Sequence, residues 1–60
     1  MKKYICVDKK TLKVKNFASF MEEESGKYRI ADLDKGIILK RIFDTEKSIK
    51  VLLEIHYTIK

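Results

Sequence analysis

Apolar residues recur along the chain in short runs separated by charged or small residues. The first run, Lys3-Tyr4-Ile5-Cys6-Val7, is β-branched and aromatic and predicts a strand. Asp8-Lys9-Lys10-Thr11 is a polar break suited to a turn. Thr11 to Lys15 then alternates, with Leu12 and Val14 on one side and Thr11, Lys13 and Lys15 on the other, which predicts a second strand paired back on the first. Asn16 is a favoured helix cap, and Phe17, Phe20 and Met21 follow at the i, i+3, i+4 spacing of one helical face. Glu22 to Glu24 extend that pattern and Gly26 can close it. These acids sit at the end of the helix that its dipole disfavours.

Lys27 to Leu33 predicts a third strand, with Tyr28 and Ile30 on one face. Asp34-Lys35-Gly36 is a hairpin connection, and Ile37 to Phe43 a fourth strand. Asp44 to Lys47 reads as the next turn. The closing stretch, Ser48 to Lys60, has an apolar or aromatic residue at every odd position from Ile49 to Ile59. A helix there gathers Ile49, Leu52, Leu53 and His56 on one face but scatters Ile55, Tyr57 and Ile59. The two-residue period accounts for more positions and predicts a fifth strand.

The expected fold is therefore α+β: a small bent antiparallel sheet in the order β-β-α-β-β-β with one short helix. A five-stranded barrel of SH3 or OB type is the variant. All 60 residues form a single domain. A strand of twelve residues reaches about 40 Å. A domain of this length is only about 27 Å across. The closing segment must then bend, with Leu52 as the candidate bulge, or project and pair elsewhere through Thr58 and Ile59. The predicted fourth strand is apolar on both faces. With the helix over one of them, Ile38, Ile42 and Leu52 are left as a candidate contact patch.

Charge sharpens this picture. The chain carries +5, distributed as +5 over residues 1–20, −3 over 21–34 and +3 over 35–60. Lys9, Lys10, Lys13 and Lys15 cluster on the first hairpin, where they can neutralise phosphates, with Tyr4 as a stacking platform. Most of the bases are lysine, which is less suited than arginine to planar recognition of phosphate and guanine. No paired recognition helices and no RNA-recognition signature are present.

Candidate chemistry is sparse. Cys6 is the only cysteine, so no internal disulfide forms, and Cys6 with His56 cannot supply the four ligands of a structural zinc. A Cys6–His56 nucleophile pair would also require an orienting acid and an oxyanion site. Consecutive Glu22, Glu23 and Glu24 point in different directions and read as a solvated turn. There is no glycine-rich phosphate loop or nucleophile elbow.

The apolar run after Met1-Lys2-Lys3 is too short for a secretory core, and no stretch is long enough to span a membrane. A lone thiol suits a reducing compartment. The expectation is a cytoplasmic, non-enzymatic interaction protein without cofactor or metal, a self-associating regulator of bacterial or phage type. Its partner is another protein or a second copy of itself. The alternative is a small basic nucleic-acid-binding protein.

Overall fold

A computed structural model describes residues 1–60 throughout. The elements are β1 (Lys2–Asp8), β2 (Val14–Met21), β3 (Tyr28–Asp32), β4 (Ile37–Ile38), α1 (Glu46–His56) and β5 (Tyr57–Ile59). They form one open antiparallel sheet in the order β4-β3-β2-β1-β5, with the helix on one face. The α+β class with a single short helix is as expected. The sheet does not close into a barrel, and the helix lies in a different part of the chain, so the order is β-β-β-β-α-β.

The expected helix from Phe17 is instead the second half of β2. Alternation sends Lys15, Phe17, Ser19 and Met21 to the helix side and Val14, Asn16, Ala18 and Phe20 to the other. An aromatic on each side mimics a helical spacing. A two-turn helix is marginal alone, whereas this strand is hydrogen-bonded on both edges, to β1 and to β3. Asn16 caps no helix: its backbone and side-chain N–H groups both donate to the Asp34 carboxylate, at 2.9 and 3.1 Å. Gly26 adopts φ +70° and serves the β2–β3 turn, while Glu22 to Glu24 lie beyond the strand end.

The closing segment is corrected as well. Residues 46–56 are helical, and only Tyr57 to Ile59 are extended. Thr45 is the N-cap, its hydroxyl accepting from the Ser48 N–H at 3.2 Å, and Glu46 sits in the first turn. Ile49 and Leu53 are buried and Leu52 is half-buried against them, while Val51 and Ile55 face solvent. Eleven helical residues rise only about 16 Å, so the segment fits its own domain. It neither projects nor bulges at Leu52.

β3 and β4 are shorter than expected, whereas β1 runs one residue further at each end. Thr11 to Lys13 belong to the first turn, and β4 stops at Ile38. Pairing with β3 resumes only at the Tyr28–Phe43 bridge. The core lies between sheet and helix and comprises Tyr4, Cys6, Phe17, Ile30, Phe43, Ile49 and Leu53. No helix is long and apolar enough to cross a membrane.

Candidate functional site: the uncovered face of the sheet

The register divides every strand between two faces. Tyr4 pairs with Phe17, Cys6 with Ile59, Ser19 with Ile30 and Asp8 with Tyr57, all on the helix side. Their neighbours point the other way. That opposite face carries Val7, Val14 and Thr58 in one row, Ile5 beside Asn16 in the next, then Lys3, Ala18, Ala31 and Ile38, and finally Phe20 with Arg29. The helix packs only on the first face.

Ile5, Val14 and Ile38 are 51%, 57% and 56% exposed, and Val7, Phe20 and Ala31 are partly so. An antiparallel sheet with one face in solvent normally alternates apolar-in with polar-out. Here the outward set is largely aliphatic and aromatic. The accessible surface is 4544 Å². A compact monomer of this mass exposes about 4,100 Å², so the chain shows roughly a tenth more than closure alone requires.

Two polar side chains of this face, Arg29 and Asn16, find partners at its margin. Arg29 donates to the Leu39 carbonyl at 3.1 and 3.3 Å and lies 3.4 Å from the Glu22 carboxylate. Asn16 holds Asp34 at the rim, and these hydrogen bonds lower the Asp34 pKa below the usual carboxylate range. Lys3 and, opposite Ile5 in the continued β1–β5 register, Lys60 add positive charge on this side.

The residues expected to form a contact patch are spread apart. Ile38 belongs to the uncovered face. Ile42 is exposed between β4 and the Phe43 bridge. Leu52 is on the helix, half-buried on the opposite side of the sheet. Thr58 is exposed on the edge strand β5, and Ile59 turns inward against the core. Ile5, Val14 and Phe20 are the members that sequence reasoning missed. Their signal was the apolar content on both sides of the β1 alternation, Tyr4 and Cys6 against Ile5 and Val7.

The lysine cluster is also redistributed. Tyr4 is buried under the helix, which closes its ring to stacking by a base. Lys15 is 3.4 Å from the buried Asp32 carboxylate and lies over the Phe17 ring at 5.4 Å. Lys9 donates from its ammonium to the Glu54 carbonyl at 2.8 Å, tying the first turn to the helix end. Lys10 and Lys13 remain at the turn without side-chain partners in the structure.

That turn is tightly built. Asp8 Oδ1 accepts from the N–H groups of Lys10 and Thr11 at 2.8 and 3.0 Å, which lowers the Asp8 pKa. Leu12 donates its N–H to the Asp8 carbonyl and adopts φ +62° while 74% exposed. Cys6 is fully buried, and burial pushes its thiol pKa up. His56 is exposed at the helix end. No pocket opens in the surface, and no three His, Cys or acidic residues gather in metal-binding geometry.

The fold and the face define a small α+β domain with a one-sided antiparallel sheet. No family model, curated protein or solved structure matches this chain.

Proposed function

We propose that this chain is a non-enzymatic protein-interaction module that acts through the uncovered face of its sheet, in the cytoplasm. The observation that carries the reading is the set Ile5, Val14 and Ile38, each about half exposed and all on the one face the helix leaves bare. Exposed apolar surface is a feature of contact sites, and interfaces are typically apolar at the centre and polar at the rim. The ion-paired Arg29 and the tethered Asp34 supply such a rim.

Affinity capture from the source cell tests it. The wild type is run beside I5K and I38K, with V51K, on the exposed side of the helix, as control. A retained protein that is lost with both face variants and kept with V51K supports the reading. An identical retention pattern for all four chains overturns it.

The nucleic-acid alternative now draws on fewer groups. Of Lys9, Lys10, Lys13, Lys15 and Tyr4, only Lys10 and Lys13 are free of intramolecular engagement. Two phosphate contacts give a shallow dependence of affinity on salt, a slope of roughly −2 on logarithmic axes for duplex DNA. Titration with duplex DNA and with RNA at two salt concentrations measures that slope, and no binding at low salt disposes of the alternative.

A further inference from the structure

We propose that the turn between β1 and β2 is a docking point for an anionic lipid surface, with Leu12 entering the headgroup layer and Lys9, Lys10 and Lys13 holding it there by charge. This site lies at one end of the sheet. It goes beyond the protein-interaction reading and does not depend on it.

Leu12 carries the inference. It is 74% exposed in the turn, and its backbone is held at φ +62°. A bulky residue in that conformation is a strained outlier, where glycine or asparagine sits at ease. Strain of this kind clusters at binding and catalytic sites. With most of the residue in solvent, packing within the chain does not offset it. What the leucine contributes lies outside the chain.

Hydrogen bonding selects the partner. All five backbone N–H groups from Lys9 to Lys13 are bonded internally: Lys9 to the His56 carbonyl, Lys10 and Thr11 to the Asp8 carboxylate, Leu12 to the Asp8 carbonyl and Lys13 to the Thr11 hydroxyl. The turn therefore offers no backbone donor to an incoming strand or a base edge. A bilayer makes the opposite demand, since backbone donors that leave water must already be satisfied. The tip meets that demand and presents a single aliphatic side chain.

Charge is of the matching kind. Three lysines stand within five residues, and the one acid of the turn, Asp8, is engaged by two N–H groups. Lys10 and Lys13 enter no ion pair, and Lys9 donates to an uncharged acceptor, the Glu54 carbonyl. Ammonium groups around an aliphatic tip match anionic headgroups above acyl chains. Lysine is a compact, flexible point charge and suits that diffuse layer better than planar recognition of one group.

Co-sedimentation with phosphatidylserine-rich vesicles, beside pure phosphatidylcholine vesicles, tests this in about 0.1 M salt. The wild type and Val51→Gln, changed on the exposed side of the helix, are expected in the phosphatidylserine pellet and not in the other. Leu12→Asn suits the same backbone conformation and is expected to bind about tenfold more weakly. Leu12→Gly is expected to lose as much, and because it relieves the strain, that loss is not a loss of fold. Lys10→Gln and Lys13→Gln are each expected to weaken binding about fivefold. A wild type that stays in the supernatant overturns the inference. So does equal binding to both lipids, or binding that both Leu12 variants leave intact. Loss of a captured protein with Leu12→Asn, without vesicle binding by the wild type, assigns the turn to a protein partner and likewise overturns the lipid reading.

Discussion

Glu46 reaches from the first turn of the helix to accept a hydrogen bond from the Ser19 hydroxyl at 3.1 Å, and Ser19 is fully buried at the middle of the sheet. The same hydroxyl lies 3.4 Å from the Tyr4 hydroxyl, itself buried. One serine thus joins β1, β2 and α1 through its hydroxyl.

Removing that oxygen leaves the Tyr4 hydroxyl without its partner. Ser19→Ala is expected to cost about 1–2 kcal/mol in urea unfolding. In a double-mutant cycle with Glu46→Ala, the combined loss is expected to be smaller than the sum of the two single losses, since both remove the same bond. Strict additivity would show that the contact contributes nothing.

The helix places Ile49 and Ile55 in opposite situations, whereas a strand would put them on the same side. Ile49 is fully buried and Ile55 is exposed. Ile49→Ala is expected to cost about 3 kcal/mol, most of what a single core of this size supplies. Ile55→Ala is expected to fall within about 0.5 kcal/mol of the wild type. Comparable losses at both positions would contradict the helical register.

Leu12 holds a backbone conformation that glycine adopts freely and a leucine does not. Its side chain is out in solvent, so no packing offsets the strain. Leu12→Gly is expected to stabilise the domain by about 1 kcal/mol, a rise of roughly 4–8 °C in Tm. A lower Tm would mean that the leucine is packed in solution.

Four aspartates hold their protons less readily in the folded state. Backbone N–H groups of Thr11 and Lys10 act on Asp8, the Lys35 N–H and the Lys15 ammonium on Asp32, Asn16 on Asp34, and the Lys27 ammonium on Asp44. A carboxylate whose folded pKa is depressed stabilises the fold above its unfolded pKa, and that contribution fades as pH falls through the folded value. The urea midpoint is therefore expected to be level between pH 5 and 7 and to decline below about pH 4, the ordinary aspartate range. Asp32→Asn is expected to make the decline shallower. A midpoint that rises on acidification would reverse the assignment.

The fold class was legible in the sequence, because short alternating runs separated by turn residues admit little else at this length. The position of the helix was not. Phe17, Phe20 and Met21 have helical spacing, yet a strand with apolar groups on both sides produces the same spacing. Ile49 to Ile59 have strand spacing, yet Ile49, Leu52 and Leu53 also share a helical face. The local arbiter is Thr45, whose hydroxyl caps the helix and marks its start within the polar stretch Asp44 to Lys47. The candidate face was missed for a related reason. It combines β1, β2 and β4, and their register becomes visible only once β2 is known to be one long strand between β1 and β3.

No loop separates the helix from the strand that follows. Tyr57 donates its N–H to the Leu53 carbonyl as the helix cap and is already paired in register with Asp8. With no intervening residue to act as a hinge, the Tyr57 N–H closes the helix while the Lys60 N–H, three residues on, is already bonded to the Ile5 carbonyl in the sheet. Similar amide-exchange rates at Tyr57 and Lys60 are the expected consequence, helix end and edge strand opening together.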